Sequence, residues 1–223
     1  MRGGRGRFAA ILPLMAVVAA GTALAPPAQA RDDWRLWLEQ QWSLPLSPDL
    51  KLVGKSEERF QDDMSDYHVQ VASIGVSWKP RPWLKLEPMY HYQWTEAVGR
   101  DQNENRLFLN ATPSWSVGPF RMEDRHRVEF RHINGRDDWR YRNKPKLSLA
   151  VGRGWVAIES YVADEVFYGA RAGGWTRNRF FLGLKKRFTA HLGAELYYML
   201  ESDKTGRDWD EFHAVGVVMD VTR

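Results

Sequence analysis

Alternation with a period of two runs through most of this chain. It is clearest between Arg179 and Glu201. The first half places Phe180, Leu182 and Leu184 on one face and Arg179, Lys185 and Arg187 on the other. After a break around Thr189, Leu192, Ala194, Leu196, Tyr198 and Leu200 oppose His191, Glu195, Tyr197 and Glu201. Successive side chains of a strand point to opposite faces, so both halves read as β-strands joined as a hairpin.

The same plan predicts strands over residues 33–44, 50–60, 67–78, 83–95, 105–116, 120–131, 139–151, 155–167 and 212–221, eleven segments with the hairpin. No segment keeps a helical period over three turns. In 83–95, Leu84, Leu86, Tyr90, Tyr92 and Trp94 oppose Lys85, Glu87, His91 and Gln93. In 120–131, Arg121, Glu123, Arg125, Arg127, Glu129 and Arg131 form an unbroken charged ladder, while Asp124 and His126 interrupt the opposite face. The apolar phase shifts between Val71 and Ile74, which suggests a bulge. Lys79-Pro80-Arg81-Pro82 reads as a turn, because proline cannot donate to a central ladder. Stretches 61–66, 97–104, 134–137 and 202–210 read as polar loops that alternate with tighter turns.

Which solvent meets the apolar face is the next question. Strands of about 10–13 residues suit a tilted bilayer crossing, whereas soluble strands average nearer five or six. Nine of the eleven tryptophans, at 34, 42, 78, 83, 94, 115, 139, 155 and 175, fall near strand ends, where membrane interfaces favour aromatic rings. Tight turns on one side and longer loops on the other are the pattern of a bacterial transmembrane barrel. These features predict an all-β, antiparallel, up-and-down transmembrane barrel of about 10–12 strands, with ten or twelve preferred because such barrels have even numbers. A soluble periplasmic barrel that binds an apolar ligand is the alternative, with the apolar face inside.

Composition adds an address. Arg2, Arg5 and Arg7 precede an apolar run at 8–20, and Ala28-Gln29-Ala30 supplies a small-x-small cleavage site. Residues 1–30 therefore read as a secretory signal peptide cut before Arg31, with the barrel over 31–223. Three of the 32 lysines and arginines fall in that leader, leaving 29 against 28 acidic residues. A nearly neutral mature chain argues against a nucleic-acid partner. The chain has no cysteine, so an exported form is held by packing and hydrogen bonds alone.

Several pieces together resemble the family called domain of unknown function 2490. They are Asp33-Trp34-Arg35-Leu36-Trp37, Arg125 to Arg131, Arg140-Tyr141-Arg142, Tyr161 to Tyr168, Asn178-Arg179 and Leu196-Tyr197-Tyr198-Met199, in that order along most of the mature chain. The resemblance implies an outer-membrane β-barrel of Gram-negative bacteria without an established activity. Many such barrels end in an aromatic residue used as an assembly signal, whereas this chain ends Val221-Thr222-Arg223.

The candidate chemistry lies on the polar face. Arg125, Glu129, Arg131, Arg140, Arg142, Glu165 and Arg179 would share a low-dielectric, constricted lumen, where a lone charge is costly and paired charges persist. The favoured reading is a structural ion-pair network that plugs the barrel; a narrow polar conduit or anion-selective site follows. The alternative function is an outer-membrane lipid-modifying hydrolase, for which His91, His126, His191 and His213 and Ser73, Ser114 and Ser160 are available. No spacing among them singles out a nucleophile and base, so no catalytic residue is assigned. Scattered histidines and an acidic stretch at 202–211 without calcium-loop spacing give no metal site, and Gly152-Arg153-Gly154 lacks the pattern of a phosphate loop. No cofactor is expected. The expected partners are outer-membrane lipids, the barrel-assembly machinery and a small polar solute.

Overall fold

The computed structural model describes residues 33–223 except Arg153; the expected signal peptide lies outside the described residues. Eleven strands form one closed barrel: β1 Trp34–Pro45, β2 Leu50–Gln61, β3 Asp66–Arg81, β4 Leu84–Thr95, β5 Gln102–Val117, β6 Phe120–Ile133, β7 Arg136–Val151, β8 Ile158–Gly169, β9 Gly174–Arg187, β10 Leu192–Thr205 and β11 Asp208–Thr222. Each strand pairs antiparallel with the next. The count is neither of the even numbers preferred from sequence, and the consequence sits at the seam. In an up-and-down order an odd number makes the first and last strands run the same way, so β1 and β11 pair in parallel, from Trp34↔His213 to Ser43↔Thr222.

Alternation decides the two walls. On β5, Leu107 and Leu109 face outward, while Glu104, Arg106, Phe108 and Asn110 are buried. On β6, Val128 and Phe130 face outward on either side of the buried Glu129. The strands are 12–16 residues long. At about 3.3 Å per residue and a tilt near 40°, they rise roughly 30–40 Å along the barrel axis.

Five local expectations are corrected. No bulge separates Val71 from Ile74: Val69, Val71, Ser73 and Ser77 all point inward and Ile74 and Trp78 outward, so the apparent phase shift is an apolar stretch of the inner face. The register shifts instead at Arg59/Phe60 on β2 and between Trp78 and Arg81 on β3. Pro80 belongs to the end of β3, where pairing to β4 is already irregular and the missing donor matters least, and the turn is at 82–83. Finally, tight turns and long loops are not segregated: connections 46–49, 82–83, 118–119, 152–157 and 188–191 at one end match 62–65, 96–101, 134–135, 170–173 and 206–207 at the other. Polar residues placed in loops at 102–104, 136–137 and 202–205 extend the strands, because cross-strand ion pairs keep them in register. Trp155 lies in the 3-10 turn Gly154–Val156 rather than in β8.

Candidate functional site

Two kinds of surface meet inside the barrel. Trp37 on β1, Tyr161 and Ala163 on β8, Phe181 on β9, Tyr197 and Met199 on β10, and Ala214 and Val218 on β11 form one buried apolar cluster. Across from it, β5, β6 and β7 project a ladder of arginines and glutamates.

Register explains how that ladder holds together. The pairing of β5 with β6 sets Arg106 opposite Arg131, and that of β6 with β7 sets Arg127 opposite Arg142. Like charges directly opposite one another destabilise a sheet unless an anion intervenes. Glu104 supplies one for the first rung, accepting from Arg106 at 2.8 Å and from Arg131 at 2.6 and 2.9 Å. Glu129 supplies the other. It is 0% exposed, and Arg140 (2.6 Å), Arg142 (3.0 Å), Arg106 (3.5 Å) and Arg127 (3.5 Å) surround it. A carboxylate offers about four lone-pair directions, so four guanidinium groups saturate it. Glu165 then links Arg142 (2.7 Å) to Arg125.

Of the seven residues named from sequence, Arg125, Glu129, Arg140, Arg142 and Glu165 are thus directly connected. Arg131 joins through Glu104 and also approaches Asp138 at 3.7 Å. Arg179 does not pair with Glu165, its cross-strand neighbour, but donates to Glu201. It joins the rest through an aromatic: the Phe167 ring is ringed by the guanidinium groups of Arg140, Arg142, Arg177 and Arg179 at 4.4–5.6 Å. Arg59 and Arg179 likewise stack on Trp37 at 3.9 and 4.8 Å. Such contacts hold planar cations whose carboxylate partners are too few.

Glu104, Arg106, Arg127 and Glu201 are members that the sequence reading did not single out. The polar run 97–104 reads as loop and takes in Glu104, yet the structure puts Glu104 in β5; its phase, two before Arg106 and four before Phe108, is the signal that marks it as strand.

Two cavities flank this layer, one of about 400 Å³ and one of about 680 Å³, and both touch Trp37, Arg59, Arg106, Arg142 and Arg179. Those five side chains therefore belong to the layer between the two cavities. Eight arginines and four carboxylates line the smaller cavity; 14 lysines and arginines and six carboxylates line the larger.

Among the hydrolase candidates one Ser–His pair comes together, without a third member. Ser73 and His91 meet inside the barrel at 2.9 Å, but the Nε2 of His91 has no partner, so no carboxylate orients it. His126 lies on the outer wall with Tyr141 (2.6 Å) and Asp124 (3.2 Å), His191 bonds the carbonyl of Thr222, and His213 bonds Tyr198. Ser160 donates to the carbonyl of Leu149. Among the described residues no group of three or more histidines and carboxylates is placed to hold a metal ion.

Comparisons with curated proteins and with solved structures each return no match. A family model does match, that of the protein of unknown function DUF2490, over residues 34–211. That span runs from the first residue of β1 into β11 and takes in Glu104, Glu129, Glu165, Glu201 and the arginines around them, so the chain belongs to the DUF2490 family.

Proposed function

We propose that this barrel is an integral outer-membrane protein of a Gram-negative bacterium, whose charged, constricted interior forms a narrow polar conduit closed down by its own ion pairs. The observation that carries the reading is the inversion of the usual solvent preference. Phe130 is 65% and Leu107 61% exposed, whereas Glu129 and Glu165 are 0% and 1% exposed. Leaving a Leu or Phe in water forgoes about 1.5–3 kcal/mol each, and burying carboxylates costs more unless every one is paired. Hydrocarbon outside the wall removes the first cost.

The tryptophans support the same setting. Trp42, Trp78, Trp83, Trp115 and Trp155 lie toward one end of the barrel and Trp34, Trp139 and Trp175 toward the other, all exposed. On β1, Trp34 and Trp42 are separated by roughly 26 Å along the strand, or about 20 Å along the axis. Two aromatic girdles bounding an apolar band of comparable height suit a bilayer. Two polar pairs on the outer wall are bonded to one another: Asn143 donates to Asp124 at 2.5 Å and Asn178 to Asp164 at 2.9 Å. No helix among the described residues is long and apolar enough to cross a membrane; the strands would do so. Outer-membrane lipids, the barrel-assembly machinery and a small polar solute are the partners this function requires.

Cell fractionation with heat-modifiable gel migration tests the reading. Recovery in the outer membrane, with an unboiled band that runs faster than the boiled one, is the expected result. Recovery in the soluble periplasm without a shift would overturn it.

A further inference from the structure

Three rungs of the inner ladder set like charges opposite one another: Arg106↔Arg131, Arg127↔Arg142 and Arg125↔Lys144. Glu104 bridges the first and Glu129 the second. The third has no such bridge. Arg125 reaches sideways to Glu165, which it shares with Arg142, and its Nε is buried without a partner. Among the described residues Lys144 has no carboxylate within ion-pair distance; its ammonium lies 3.4 Å from the centroid of the Phe181 ring. Among the described residues, Arg106, Arg125, Arg127, Arg131, Arg140, Arg142 and Lys144 find only Glu104, Glu129, Asp138 and Glu165 within 4 Å; Glu195, bonded to Tyr161, lines the same cavity as Lys144 without pairing with it. Seven cations against four carboxylates in a low-dielectric interior call for a further anion.

The space for one is beside the unbridged rung. Arg125, Arg127 and Lys144 all line the larger cavity, about 680 Å³, together with Asn110 and with His91, whose Nε2 is also buried without a partner. We propose that this rung is a binding site for a phosphate group, with Arg125, Arg127 and Lys144 as its contacts, the anion taking the bridging place that Glu104 and Glu129 take in the neighbouring rungs. A phosphate offers three or more acceptor oxygens to a guanidinium fork, a lysine ammonium and the remaining donors at once, which one carboxylate cannot. The cavity exceeds the volume of a bare phosphate several-fold, since a water occupies about 30 Å³, so a phosphorylated solute fits as well as the free ion. The proposal rests on the reading of the interior as reachable by solute.

The test uses the barrel refolded in zwitterionic detergent at fixed ionic strength. Inorganic phosphate, pyrophosphate and monomeric dihexanoyl phosphatidic acid are titrated in separate arms, followed by phosphorus NMR line broadening and by the shift in Tm. Saturable binding is expected, with a Tm rise that chloride at equal ionic strength does not reproduce. Binding should weaken about tenfold in Lys144→Met and in Arg125→Met, as for loss of one charge-assisted contact, and remain unchanged in Lys186→Met, whose side chain lies outside the cavity. Lys144→Met removes a repelling cation and should fold; Arg125→Met also removes a partner of Glu165, which keeps Arg142, so Lys144→Met is the primary variant, and Lys144→Arg, which keeps the charge, should retain binding. A preference for the phosphatidic acid arm identifies a lipid headgroup as the source, and a preference for the inorganic ions identifies a free solute; either supports the site. No saturable phosphate binding in any arm, or binding unaffected by both variants, overturns it. Conductance in planar bilayers is independent: a barrel that conducts without binding phosphate overturns the site and keeps the conduit, and one that binds without conducting does the reverse.

Discussion

At Glu129 one carboxylate serves four guanidinium groups; removing its charge leaves Arg127 and Arg140 without a carboxylate and Arg106 and Arg142 with one each, Glu104 and Glu165. Breaking a buried pair by neutralising one partner costs about 3–5 kcal/mol, more than the pair itself contributes. Glu129→Gln keeps the shape and tests the charge alone. It should lower stability by about that amount, read as a lower urea midpoint for unfolding from detergent micelles. An unchanged midpoint would show that the arginines are already compensated by solvent or bound ions. The same logic gives Lys144→Met the opposite sign, since it relieves a repulsion that no side chain answers.

At the scale of the strands, the seam between β1 and β11 carries the closure. Ten cross-strand partners run in parallel there, and every other junction is antiparallel. An even-numbered rearrangement would have to drop a strand and expose two edges, which natural barrels avoid by closing. Leu38 and Val217 are direct partners across the seam, and the protein has no cysteine of its own. The double variant Leu38→Cys, Val217→Cys should therefore form a disulfide on oxidation, covalently closing the ring and abolishing the slow-running unfolded band on non-reducing gels after boiling. Failure of these two positions to crosslink, with success one or two residues away, would show a different register.

For the molecule as a whole, the outer wall is the quantity to test. In lipid vesicles, bromine placed near the headgroups should quench tryptophan fluorescence more strongly than bromine near the bilayer centre, because the exposed rings lie toward the two ends of the barrel. Equal quenching at all depths, or none, would remove the membrane setting from the proposal while leaving the barrel intact. Buried tryptophan contributes little to this signal: Trp37 faces the interior beneath Arg59 and Arg179.

The sequence by itself determined the strands and their faces. A period of two is a local property, so Leu182 and Leu184 could be assigned to one wall and Arg179 to the other without knowing any neighbour. It also determined that charges such as Glu129, Arg140 and Arg142 share a face, and family membership follows from the same run of residues. Where both faces are apolar the signal faded: Val69 and Val71 point inward, which read from sequence as a break in phase. Only the tertiary structure decided which carboxylate bridges which arginines, because Glu129 meets Arg106 and Arg142 from adjacent strands and Glu165 meets Arg125 from 40 positions away. Closure through a parallel pair, the extension of strands to Glu104 and Asp203, and the one rung left without an anion are likewise properties of register between strands, which no single strand contains.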